Sequence, residues 1–277
     1  YGFRYKGVYQ YTYDYVVNKQ KSMSSLSEYR DWLENEFLAS GKTAPIVLNA
    51  DGKPVYGSDG LPRRMMYHYK TDGTGKNYGF KGGDAMYEDI NNDGQINALD
   101  IVYLGSSLPK LTGGFGFTFT YGDWRLNTQF TYRFGNKILN LARLRLEAMS
   151  GNDNQSQASN YRWRKNGDGS NGESVLPRAV YDTGDKQFNS LVSDRFVEDG
   201  SYVRMGYAQL SYSIKKKYLT WIGLNRISIY ASVNNPFVLT KYTGVDPDIS
   251  SSGYDPAMDN SQTPRNRSYT LGLTVDF

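Results

Sequence analysis

The sequence of 277 residues predicts an all-β fold of antiparallel strands facing hydrocarbon, and three observations carry that expectation. The first is alternation at the carboxyl end. Tyr269, Leu271, Leu273, Val275 and Phe277 take the odd positions, and Ser268, Thr270, Gly272, Thr274 and Asp276 the even ones. A period of two sets one face against an apolar medium and the other against water. The second is composition: 25 Tyr, 12 Phe and 29 Gly coexist with a mean hydropathy of −0.63. Membrane strands hide apolar residues in a pattern that averaging erases. The third is the spacing of the segments, which alternates short links with long ones rich in Gly, Asn, Asp and Ser. A soluble calcium-dependent carbohydrate-binding β-protein shares much of this composition and is the alternative reading.

Composition also excludes. Lys plus Arg number 32 against 28 Asp plus Glu, a net charge of +4 that provides no basic stripe for nucleic acid. Cysteine is absent, which removes disulfides, thiolate metal sites and Cys nucleophiles together. The one histidine, His68, makes His-based triads or metal centres implausible. No apolar run approaches the ~18 residues of a spanning helix. The chain opens on Tyr1 without an initiator Met or signal peptide, so it is expected to be a mature form or a piece of a longer polypeptide.

Along the chain, Tyr1, Phe3, Tyr5, Tyr9, Tyr11, Tyr13 and Tyr15 share a period-2 face, which predicts one or two opening strands. Ser25 and Glu28 form a capping box before Leu26, Tyr29, Trp32, Leu33 and Phe37, so a short amphipathic helix is expected over about 25–39. Residues 49–84 read as loop or hairpin. Phe115, Phe117, Phe119 and Tyr121 run into a tight Gly122-Asp123 turn. Trp124, Leu126, Phe130, Tyr132 and Phe134 then alternate with Arg125, Asn127, Gln129, Thr131 and Arg133, giving a hairpin. Strands follow at about 202–214 and 225–233, each of the ~9–12 residues that cross a bilayer at a tilt. Counting back from a periplasmic carboxyl terminus puts the long 135–201 and 234–267 connections outside and the short links inside. Trp124 and Trp221 beside the short links, and the terminal Phe277, are read as interface or assembly residues.

The sharpest local motif is the twelve-residue loop 89–100. Asp89, Asn91, Asp93, Asn97 and Asp100 place oxygens at positions 1, 3, 5, 9 and 12, Gln95 offers its carbonyl at position 7, and Gly94 supplies the turn at position 6. That spacing suits a hard divalent cation, calcium above all, in a structural role. Asp100 stands where a longer Glu would give the bidentate contact. No catalytic set emerges, so the chain is not expected to be an enzyme. Tyr161, Arg162 and Trp163, with Tyr242 and Tyr254, lie in the long connections as candidate substrate contacts, where aromatics stack on sugars or grip peptides.

Several phrases together carry a family resemblance. Tyr1-Gly2-Phe3-Arg4-Tyr5, the 89–105 stretch ending Tyr103-Leu104-Gly105, Val197-Glu198-Asp199-Gly200-Ser201, and Asn234-Asn235-Pro236-Phe237 with Thr240-Lys241-Tyr242-Thr243-Gly244-Val245-Asp246-Pro247-Asp248 resemble segments of SusC/RagA-type TonB-dependent transporters. The resemblance implies that residues 1–277 form the carboxyl-terminal portion of a 22-stranded transmembrane barrel in a Gram-negative outer membrane, with long extracellular loops and a short helical insertion. The plug and TonB box find no match here. It also implies a SusD-like surface lipoprotein as partner, TonB acting through the plug, outer-membrane lipid around the barrel, and uptake of oligosaccharides or peptides through loops that line an outer vestibule.

Overall fold

The computed structural model describes residues 1–68, 77–181, 187–249 and 257–276. The chain divides into two compact units, residues 1–104 with 142–196, and residues 105–141 with 197–277.

The first unit holds the short elements. Strand β1 (Tyr5–Val8) is followed by helix α1 (Tyr13–Lys19), so the expected second strand through Tyr11, Tyr13 and Tyr15 is replaced by a helix. The reason is local: the Thr12 side chain accepts the Tyr15 N–H as an N-cap and Asp14 sits in the first turn, where the helix dipole favours an anion. Helix α2 (Leu26–Asp31) continues into a π-helical stretch, Trp32–Leu38, close to the expected 25–39. Ser25 accepts the Glu28 N–H at 3.2 Å, but the Glu28 carboxylate reaches the amide of Ser24 rather than that of Ser25. Val16, Tyr29, Leu33, Phe37, Ala44 and Ile46 close one apolar core. Strands β2 (Met66–His68), β3 (Asn77–Gly79), β4 (Ala85–Tyr87) and β5 (Gln95–Ile96) surround another, built on Tyr9, Tyr67, Phe80, Tyr87, Ile96 and Phe188. β2 pairs with β3 as an antiparallel hairpin and with β5 in parallel, while β1 pairs with β4.

The second unit is dominated by one antiparallel sheet. Its strands are β6 (Leu111–Tyr121), β7 (Trp124–Phe134), β10 (Tyr202–Ile214), β11 (Arg226–Thr240) and β13 (Ser268–Asp276), while β8 (Lys137–Asn140), β9 (Val197–Asp199) and β12 (Met258–Asp259) form a smaller sheet. The large sheet runs β6-β7-β10-β11-β13, every neighbour antiparallel. Tyr121 pairs with Trp124 across the two-residue turn, and Gly122 takes φ +59, the left-handed conformation that the first position of such a hairpin turn demands.

Two connections are more ordered than the sequence suggests. The stretch between 134 and 202 contains β8, β9 and helix α3 (Leu141–Ala148). Strand β11 runs on to Thr240 and absorbs Asn234-Asn235-Pro236-Phe237, which the sequence pattern places in the 234–267 connection. The register shifts there, Met205 pairing with Phe237 and Tyr207 with Asn234, and Asn235 has φ +49. A bulge is where a strand accommodates a proline that has no N–H to give its neighbour.

Candidate functional site

The large sheet has two faces of opposite chemistry, and its register shows that the division holds across all five strands. Phe115 lies opposite Phe130, Phe119 opposite Leu126, Leu126 opposite Leu210, Leu210 opposite Ala231, and Ala231 opposite Leu271. The other face pairs Thr118 with Asn127, Asn127 with Gln209, Gln209 with Ser232, and Ser232 with Thr270. Phe117, Phe119, Tyr121, Tyr269, Leu271 and Leu273 are each more than 60% exposed. At ~1.5–3 kcal/mol for each large apolar side chain left in water, six such residues alone forgo on the order of 10 kcal/mol, comparable to the ~5–15 kcal/mol that holds a domain together. Strands of 11 residues at ~3.4 Å per residue, tilted ~45°, cover ~26 Å, the height of a membrane barrel's apolar band. Trp124 heads β7 beside the tight turn, half exposed, and Trp221 is exposed in the short helical turn Thr220–Ile222. Phe277 lies outside the described residues.

The polar face carries an ion-pair network near the end of the sheet away from the Gly122-Asp123 turn. Arg204 on β10, buried, meets Asp246 at 2.5 Å, Arg133 on β7 meets Asp248 at 3.3 Å, and Arg265 reaches both acids. These contacts fasten residues 246–248 to the strands. The adjoining Tyr242 is a correction to the sequence reading: it is 6% exposed, packs with Ile138, Ile249 and Ala257, and donates its hydroxyl to Asp259 at 2.6 Å. Burial, then that carboxylate, push its pKa well above the ordinary phenol. It is a core residue rather than an open substrate contact. Tyr254 lies outside the described residues.

The 89–100 loop is anchored in the first unit. Gly94 accepts from the Met66 amide at 3.0 Å, β5 joins β2, and Ile96 is fully buried. Gly94 has φ +83, and a Cβ there would stand 2.7 Å from Val47, so both backbone and space require glycine. The loop's acids hold its own amides: Asp89 accepts from Asp93 and Gly94, Asp93 from Gln95, and fully buried Asp100 from Ile90 at 2.9 Å and Asn97 at 2.8 Å. Asn91 accepts from the Asp93 amide, and the Asn97 side chain from the Leu99 amide. Among the described residues no group of three or more Asp, Glu or His side chains converges to hold a metal ion. A carboxylate has about four lone-pair positions, so the amides leave Asp89 and Asp93 with acceptor capacity. Burial, with the charges of Asp100 and Asp93 nearby, raises the Asp89 pKa against the pull of the amides.

The remaining aromatic candidates separate. Trp163 donates its indole N–H to the Gln10 carbonyl at 3.0 Å and lies over Gly83, where a Cβ would come within 2.3 Å of the ring. Tyr161, 70% exposed, lines a cleft of about 740 Å³ with Arg162, Arg164 and Lys165. The lysine and the second arginine of that cleft escaped the sequence reading, although a cationic run beside two aromatics was the available signal.

No protein-family model matches the chain. TonB-dependent receptor P26 of Formosa agariphila is 27% identical over 256 residues, covering 90% of this chain and 25% of its own length. TonB-dependent receptor SusC of Bacteroides thetaiotaomicron is 34% identical over 88 residues, 31% of this chain and 8% of that receptor. Among solved structures, the RagAB peptide importer in its closed-closed state superposes with a TM-score of 0.55 at 19% identity, covering 75% of this chain and 20% of that one. The chain therefore spans about a quarter of the length of receptor P26 and a fifth of that importer chain. The relatives are receptors and transporters rather than enzymes. In its alternating strands, their one-sided apolar face and its sequence, the chain is similar to a portion of the SusC-like TonB-dependent transporters of the Gram-negative outer membrane.

Proposed function

We propose that the chain is a portion of the barrel of a TonB-dependent importer that takes up oligosaccharides or peptides with a SusD-like lipoprotein, driven by TonB through a plug carried elsewhere in the whole protein. The observation that carries this reading is the sheet whose Phe, Leu and Ile side chains all lie on one face. Open sheet edges in hydrocarbon leave backbone groups unpaired at several kcal/mol each, so β6 and β13 would pair onward into a closed antiparallel barrel, 22-stranded if the resemblance extends to strand number. Peptide uptake is the activity named for RagAB, and oligosaccharide uptake is the other cargo that the family resemblance suggests. Tyr161 would contact cargo directly, with Trp163 holding that segment in place. Trp124, Trp221 and Phe277 would stand at membrane interfaces or serve assembly.

The 89–100 loop would bind calcium as a structural brace, taking oxygens from Asp89, Asn91, Asp93, Asn97 and Asp100 and the Gln95 carbonyl. Its support is the spacing, the glycine-requiring turn at Gly94 and the spare acceptor capacity of its carboxylates.

The barrel reading is tested by spin labels placed singly at Leu210, Leu271, Gln209 and Thr270 of the full-length transporter in lipid. Labels at Leu210 and Leu271 should meet oxygen dissolved in the bilayer, and those at Gln209 and Thr270 a water-soluble nickel reagent. Equal access to the nickel reagent at all four positions would defeat the reading.

A further inference from the structure

The chemistry of the cleft around residues 160–175 is specific enough to name a class of cargo. We propose that it binds the carboxylate groups of an anionic oligomer. The inference rests on the importer reading and adds the charge of the cargo to it.

Three cations within four positions, Arg162, Arg164 and Lys165, line the 740 Å³ cleft. Asp168, which also lines the cleft, accepts the amides of Arg164 at 2.8 Å and Lys165 at 3.0 Å, and those N–H groups, with the charges of Lys165 and Arg164, hold its carboxyl below the usual range; against two acids the three cations still leave the lining positive. The side chains of Arg162 and Arg164 each donate one bond to a carbonyl, of Ser159 and Asn160, both at 3.1 Å. Those acceptors are neutral, so they fix the guanidiniums without cancelling their charge. Each guanidinium keeps further N–H donors in a planar fork that matches a carboxylate.

The wall is rigid where the ligand would lie. Trp163 donates its amide to Leu176 at 2.8 Å, and Leu176 donates to Tyr161 at 3.0 Å. With the indole bond to Gln10, these ladder bonds hold the segment that carries the cations. Tyr161 adds an open aromatic face that suits a sugar ring or an apolar peptide side chain. Gly169, Glu173, Ser174 and Val175 also line a second cavity of about 340 Å³, to which Arg143 and Arg195 contribute. Those two arginines share the carboxylate of Glu147, at 2.8 and 2.7 Å. Together the cavities are large enough for several units of an oligomer. Glu173, common to both, opposes an anion and gives the proposal a second handle of opposite sign.

The test uses the full-length transporter with its lipoprotein and four probes: tetragalacturonate, tetraglutamate, maltotetraose and tetra-alanine. Binding is followed by calorimetry and import by uptake into cells. One of the charged probes should bind more tightly than its neutral counterpart, and which one does so identifies the cargo as acidic glycan or acidic peptide. The pair Arg164→Gln and Lys165→Gln should weaken that binding about tenfold, and Glu173→Gln should tighten it. A structural role alone would not move the two in opposite directions. Neutral probes binding as tightly as charged ones, or no change in the variants while import continues, would overturn the anionic cleft and leave the importer intact. Import of no oligomer by the wild-type protein would overturn the importer reading itself.

Discussion

Single residues show which parts of the site a sequence can reveal. The turn at 89–100 was legible because its signal is local: the oxygens and Gly94 fall within twelve positions, and the structure folds that stretch around its own amides. Tyr161, Trp163 and Tyr242 were equal candidates by sequence. What separates them is distant in the chain: Trp163 is claimed by Gln10 and Gly83, and Tyr242 by Asp259. Replacing Tyr242 by Phe removes a donor from a buried carboxylate that also accepts the amides of Ser261 and Gln262. A loss of about 1–3 kcal/mol is expected, read as a lower thermal midpoint of the full-length transporter with cargo binding retained. The loop makes a second prediction. Asp89→Ala with Asp93→Ala should abolish calcium binding and open residues 84–105 to protease, and equal protection without bound calcium in either protein would end the proposal. Asp89 must be ionised to serve as a ligand, and its pKa is raised by burial and by neighbouring acids. Lowering the pH should therefore release calcium from a higher pH than an ordinary aspartate would give, as a calcium titration repeated across the acidic range would show.

At the scale of elements, the hairpin and the strands from 202 onward were legible because a period of two extends over most of each strand. The bulge was not, because parity changes there without a break in composition. In β10 the apolar face is carried by Val203 and Met205, and then by Ala208, Leu210 and Tyr212. The switch from odd to even positions falls at Gly206, the extra residue against β7, where Met205 pairs with Phe130 and Tyr207 with Gln129. The bulge lets Arg204 point to the polar face, where it meets Asp246, while Leu210 faces the other way. Deleting Gly206 would rotate one half of the strand, turning Arg204 toward lipid near an interface at a cost of up to about 1 kcal/mol, with a larger loss of about 3–5 kcal/mol from its broken buried pair. Folded protein in the outer membrane, scored by heat-modifiable migration, should fall sharply. Gly206→Ala should be tolerated, since a Cβ there meets nothing closer than 3.9 Å. The opening tyrosines give a strand only at Tyr5–Val8, and from Tyr11 to Tyr15 the signal fails for the converse reason: period two in one residue type is overridden at Thr12 by a helix cap.

For the whole molecule, the decisive quantity is the backbone at the two sides of the large sheet. Among the described residues β6 pairs only with β7, and β13 only with β11. In a strand, successive N–H groups point to alternate sides, so about half of those in each flanking strand are directed away from the described sheet. In water such groups would be solvated and the strands would be ordinary edges. In hydrocarbon each would cost several kcal/mol, and strands this long with an apolar face would join further strands or fail to fold. The same argument explains how a chain so polar on average can present a face so apolar: in a barrel the medium, rather than a second layer of protein, would cover the exposed Phe117, Phe119, Leu271 and Leu273. Amide hydrogen exchange on the full-length transporter in lipid distinguishes the cases. If the sheet closes into a barrel, the outward-directed amides of β6 and β13 should be as protected as those of β10, the central strand, and the two alternating sets within β6 should exchange alike. Fast exchange confined to every second amide of β6 and β13 would mean that these edges are open, and the barrel proposed for this chain would have to be abandoned.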